Sequence, residues 1–191
     1  LLGDEQSGQI NEIGYTLYTE MLERAVQSIK SGKQPELDRP LDHGAEIDLH
    51  IPALLPDDYI PDVHSRLVLY KRIASAEDTE MLKELKIEMI DRFGLLPEAA
   101  KTLFDITQMK LRIVNKGIKK IEAGPSNGRI LFDKDPQIDP GKIIQLIQTQ
   151  PQHYKLEGAE KFKFDADMGT PEERIARVVE LLDHILLEDA A

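Results

Sequence analysis

Between Ile10 and Ile29 the apolar positions Ile10, Ile13, Leu17, Met21, Leu22, Ala25, Val26 and Ile29 recur every three or four residues. That spacing draws one stripe along a helix, and Gly32 is placed to stop it. The stretch GKQPELDRPLDHG, from Gly32 to Gly44, is dense in Pro, Gly and charge, so a linker and a domain boundary are expected there. From Ala45 to Ile51 the period drops to two. Ile47, Leu49 and Ile51 share one face and Glu46, Asp48 and His50 the other, as in a half-buried strand. Pro52, Pro56 and Pro61 then interrupt regular structure.

Helical spacing returns behind Asp62, through Val63, Leu67, Val68, Tyr70 and Ile73. Ser75 with Asp78 resembles a capping box and predicts a helix over 76–93, closed by Gly94, which enters the left-handed conformation without strain. Pro97 suits the first turn of a further helix and Gly117 its end. The character then changes. Ile118–Ala123 and Arg129–Phe132 are β-prone runs around Gly124-Pro125-Ser126-Asn127-Gly128, which predicts a hairpin. Asp139-Pro140 marks a helix start ahead of Ile143, Ile144, Leu146 and Ile147, and Tyr154–Leu156 with Lys161–Phe164 predicts a second strand pair. Thr170-Pro171-Glu172-Glu173 combines an N-cap hydroxyl, a first-turn proline and a carboxylate that can bond back. The helix behind it carries Ile175, Val178, Val179, Leu182, Ile185 and Leu186. The expected class is α+β: helices packed with short antiparallel β-hairpins over 45–191, preceded by a detached N-terminal helix.

Composition narrows the function classes. The 191 residues hold 24 Lys+Arg against 35 Asp+Glu, a net charge of −11, and no Cys. Disulfide scaffolds, cysteine zinc sites and thiol chemistry are excluded. A free-standing nucleic-acid binder needs a surplus of cations, so a basic surface is the expected partner. No apolar run approaches the roughly 20 residues of a membrane span. The opening Leu1-Leu2-Gly3, with no initiator Met and no charged stretch before an apolar one, reads as a cut inside a larger protein, without a signal peptide. No Gly-x-x-x-x-Gly-Lys-Ser/Thr loop occurs to cradle a nucleotide. His43, His50, His64, His153 and His184 are scattered, none a helical turn from another, so no metal site is expected.

The sharpest candidate is an acidic stripe, Glu77, Glu80, Glu84, Glu88 and Asp91, which falls within an arc of roughly 80° on a helix. Leu82, Leu85, Met89, Ile90 and Phe93 occupy the core side, so the acids point to solvent. Only Glu88 has a base four residues on, Arg92. The stripe is either a solvated face or a docking surface for a basic partner. An exposed row offers no pocket and no raised pKa for acid–base catalysis. A second cluster, Lys110, Arg112, Lys116, Lys119 and Lys120, suits a helix C-terminus, with local phosphate contact as the alternative. Gly3, Gln6, Ser7 and Gly8 form a small polar loop before the first helix.

LLGDEQSGQI resembles the end of the translocation motif shared by bacterial transcription-repair coupling factors and RecG-type DNA translocases. GYTLYTEMLERAV, AEIDLHIPALLPDDYI and KIEMIDRFGLLPEAAKTLF resemble the coupling-factor family in particular, and the likeness runs to the end of the chain. The resemblance implies a tail of the second motor domain over 1–31, a linker over 32–44 and a terminal regulatory domain over 45–191. It implies a bacterial cytoplasmic parent of helicase superfamily 2 that uses ATP and Mg, moves on double-stranded DNA, displaces stalled RNA polymerase and recruits UvrA. The terminal domain would be a non-catalytic, cofactor-free, autoinhibitory module seated on a UvrB-like N-terminal domain, where it masks the UvrA surface. Glu88 and Asp91 match the family acids that pair with arginines on that domain, and Glu84 shares their stripe. Gln6, between Gly3 and Gly8, matches the glutamine that couples ATP hydrolysis to movement. The upstream arginine of that motif and both nucleotide-binding domains are missing from the 191 residues.

Overall fold

The computed structural model describes residues 45–187. The predicted helix over 10–29, the linker over 32–44 and the motif residues Gly3, Gln6 and Gly8 lie outside them. The described residues form five helices and one mixed five-stranded sheet, an α+β fold. They gather into two compact units, 53–104 and 45–52 with 105–187, inside the span assigned from sequence to one domain.

The first unit opens with helix α1, Val63–Ala74, capped by Asp62, whose carboxylate accepts from the Ser65 N–H at 2.7 Å. Helix α2 runs over Thr79–Phe93. Its N-cap is Asp78, which accepts from the Met81 N–H at 2.8 Å, so the helix begins three residues later than the expected Ala76. Ser75 instead ends α1, its N–H donating to the Lys71 carbonyl at 2.9 Å. A carboxylate in extended backbone three residues from a free N–H caps better than a serine still engaged with the helix before it. Gly94 closes α2 at φ 89°, a conformation that a side chain rarely adopts. Leu69, Ile73, Leu82, Leu85 and Met89 are buried along the two helices. The Tyr59 hydroxyl donates to the Gly94 carbonyl at 2.9 Å, holding the end of α2.

Helix α3, Glu98–Ile113, starts one residue after Pro97. In the second unit the strands are β1 Glu46–Asp48, β2 Ile118–Ala123, β3 Asn127–Phe132, β4 Tyr154–Glu157 and β5 Lys161–Asp165, in the order β1-β2-β3-β5-β4. The two hairpins are antiparallel as expected. The first strand is not part of a hairpin. It is shorter than predicted and pairs parallel with β2, Glu46 opposite Lys120, because a long excursion of chain separates the two. Helices α4, Pro140–Thr149, and α5, Pro171–Ile185, begin at the predicted caps, and Thr170 with Glu173 forms a reciprocal capping box. The core of this unit joins Ile121, Ile130, Phe132, Phe162 and Phe164 from the sheet to Val178, Leu182 and Ile185 of α5. Leu49 joins that core, with Ile47 and Ile51 packed against it, so the predicted alternation is realised.

Candidate docking site

Helix α2 presents the acidic stripe, and its late start removes one member. Glu77 precedes the helix, leaving Glu80, Glu84, Glu88 and Asp91 on it. The core residues Leu82, Leu85 and Met89 turn these acids outward, which is the orientation expected from spacing. Glu80 pairs with Lys83 at 3.3 Å, both well exposed.

Glu88 is different. Arg72 of α1 donates to it through Nη1 at 2.9 Å and Nη2 at 2.6 Å, and Arg92 adds a third contact at 3.0 Å. The hydrogen bonds from Arg72, then those from Arg92, hold its carboxyl at about 2, well below the usual range. The Arg92 pairing was legible as an i,i+4 spacing. Arg72 was not, since it stands 16 residues away on another helix. Arg92 also lies over the Phe93 ring at 4.9 Å. Glu84 and Asp91 are exposed and make no ion pair among the described residues. Beyond the edge of that arc Ile87 is 52% exposed, and Leu95, past the helix end, is 84% exposed. Neither apolar residue was singled out from sequence, although Ile87 interrupts a polar face.

The basic cluster does not form a free cationic patch. Arg112 pairs with Asp183, Lys119 with Asp133 at 3.4 Å, and Lys120 with Glu46 at 3.0 Å. Lys110 and Lys116 are engaged as well. Two surface hollows occur in the second unit, and no carboxylate of the stripe lines either. One contains Glu180 and Asp183, but both are held in ion pairs, with Arg177 and Arg112. Among the described residues no group of three or more His, Asp or Glu could hold a metal ion, and no helix is long and apolar enough to cross a membrane.

Residues 49–143, which include the whole of α2 and its stripe, match the TRCF domain model. The chain is 49% identical over 182 residues to the transcription-repair-coupling factor of Haemophilus influenzae, covering 95% of this chain and 16% of that protein. The chain belongs to the transcription-repair-coupling factor family. The coupling factor of Escherichia coli is 46% identical over 175 residues, covering 92% of this chain and 15% of that protein. The chain thus spans about one-sixth of the length of these coupling factors. Its fold is similar to the crystal structure of the C-terminal domain of a transcription-repair coupling factor, with TM-score 0.59 and 25% identity, covering 69% of this chain and 85% of that one.

Proposed function

We propose that this coupling-factor chain is a non-catalytic regulatory module that docks on the UvrB-like N-terminal domain of its parent and masks the surface UvrA would use. The parent would be an ATP- and Mg-dependent translocase of the bacterial cytoplasm that moves on double-stranded DNA, removes stalled RNA polymerase and recruits excision repair. Gln6, with Gly3 and Gly8, would belong to its motor. The observation that carries the docking role is the outward face of α2, where Glu84 and Asp91 stand exposed and without ion pairs among the described residues. A surface of unpaired carboxylates attracts arginines and steers their approach. An autoinhibitory contact must also open. A charge-assisted interface meets that need, because a few kcal/mol of differential binding shifts its populations, whereas a strongly apolar one demands a far larger difference.

The test is the affinity of the 191-residue chain for the UvrB-like domain at low and high salt, with thermal melts in parallel. Replacing both Glu88 and Asp91 by Ala should weaken association, most at low salt. In the full-length parent the same pair should raise basal translocation and UvrA binding. A double variant that binds like wild type at both salt concentrations leaves the stripe as a solvated face and refutes the reading. Lacking a phosphate-cradling loop, the chain alone should show no ATPase turnover.

A further inference from the structure

We propose that the outer edge of β4 takes up an extended peptide in which an acidic residue stands between apolar ones. Strand β4 ends one side of the sheet and, among the described residues, pairs only with β5. Its ladder has a readable phase. The Asp165 N–H donates to the His153 carbonyl at 2.8 Å, and the Tyr154 N–H turns the other way, to the Gln150 carbonyl at 3.1 Å. Antiparallel alternation then aims the main-chain groups of Lys155 and Glu157 at β5 and leaves the N–H and carbonyl of Leu156 facing outward. Unpaired edge groups of this kind accept a further strand.

The two sides of that edge differ, and together they specify the occupant. On the core side, Leu156 stands opposite Phe162 in register, yet it remains 41% exposed. With Ala159, Phe132, Ile143 and the 53% exposed Ile144 it lines a hollow of about 490 Å³ that admits apolar side chains. On the other side, Arg129, Lys163 and Lys155 stand directly opposite one another across β3, β5 and β4. Like charges in opposed positions destabilise a sheet, so folding alone gives no reason for this row. Glu122 meets Arg129 at 2.7 Å and Glu157 meets Lys163 at 2.7 Å. Lys155, at the free edge, makes no ion pair among the described residues. A residue of an added strand opposite Lys155 extends the row, and a carboxylate there supplies the missing counter-charge. Its neighbours in the peptide turn to the core side, toward Leu156 and Ile144. Single-stranded nucleic acid fits less well. Phe132, Tyr154, Phe162 and Phe164 all belong to the core, so these strands offer bases no phenylalanine or tyrosine to stack on. A second copy of the chain would bring another lysine-bearing edge toward this one, and edge lysines oppose such self-pairing.

The experiment titrates the 191-residue chain into a labelled synthetic peptide alternating Val and Glu, read by fluorescence anisotropy, and follows amide exchange of the chain by NMR. Wild type should bind the peptide. The Leu156 N–H should gain protection on binding, while that of Lys155, already in the ladder, changes little. K155E should weaken binding about tenfold, most at low salt, and melt no lower than wild type, because it turns a like-charge pair with Lys163 into an opposite one. I144S should weaken binding about threefold at either salt concentration. Peptides alternating Val with Lys, or Ser with Glu, should bind about tenfold more weakly than the Val–Glu peptide. Absence of binding to wild type overturns the proposal, as does binding without new protection at Leu156. Equal affinity for the Val–Lys peptide, or for K155E and wild type, also overturns it. Self-association of the chain alone that the peptide displaces would replace the peptide with a second copy as the occupant and overturn it too.

Discussion

Glu88 divides one carboxylate between a two-point contact with Arg72 and a one-point contact with Arg92, and it remains 36% exposed. Its carboxyl sits at about 2 in the folded chain against an ordinary 4.5. The ionised form therefore stabilises the fold fully above pH about 4.5, and that contribution is lost as pH falls toward 2. Solvent screening limits each pair to about 0.2–1 kcal/mol, with the two-point geometry at the upper end. Glu88→Gln should lower stability by about 1 kcal/mol at pH 7, and the difference from wild type should vanish near pH 2 in urea titrations run across that range. Asp91→Ala should leave stability unchanged, so it separates docking from folding in a way that Glu88→Ala does not. Glu84→Ala, which lies on the same face, should also melt like wild type.

At the scale of elements, two contacts lock the second unit. Arg174 of α5 is buried, and its guanidinium donates to the Leu49 carbonyl at 2.6 Å and the Met168 carbonyl at 3.2 Å. These bonds tie the end of β1 to α5 without any carboxylate, and Arg174 Nε has no hydrogen-bond partner among the described residues. Arg174→Met should destabilise the chain by about 2–4 kcal/mol in chemical denaturation, since it strands buried carbonyls as well as losing charged hydrogen bonds. On β3, Gly128 lies beneath Phe164 of β5, and a Cβ there would stand 2.3 Å from the ring. Gly128→Ala should cost about 1–3 kcal/mol by overpacking and shift the Phe164 ring signals in NMR spectra. Thr170→Ala removes the hydroxyl that accepts from Glu173 N–H at 3.2 Å and should cost about 1 kcal/mol.

Over the whole molecule, the net charge of −11 and the engagement of the Lys110–Lys120 cluster act in the same direction. A cation already held by a carboxylate releases few counterions when it meets a phosphate. The 191-residue chain should therefore bind duplex DNA more weakly than about 10⁻⁴ M at physiological salt, with a shallow salt slope in a fluorescence titration. Tight binding with a steep slope would instead make the Lys110–Lys120 cluster the site of a nucleic-acid-binding module. The same acidity favours approach of an arginine-bearing domain from long range, which makes low salt the sensitive condition for docking.

Helix starts were legible wherever the signal is local. Asp139-Pro140 and Thr170-Pro171-Glu172-Glu173 cap helices through bonds that span two or three residues, so neighbours in the chain suffice to specify them. The outward orientation of Glu84, Glu88 and Asp91 was legible for a related reason, since helical periodicity separates core from solvent without any partner element. Ser75 misled because two caps lie within four residues, and only the geometry shows that it ends α1 while Asp78 starts α2. Contacts between distant residues were beyond local pattern. Arg72 meets Glu88 across 16 residues, Lys120 meets Glu46 across 74, and Arg174 meets Leu49 across 125. Each depends on which elements the packed core brings together, and many pairings satisfy the same hydrophobic periodicity. The identity of α2 as an acidic face is thus a property of its residues, whereas the pairing of Glu88 with Arg72 is a property of the fold.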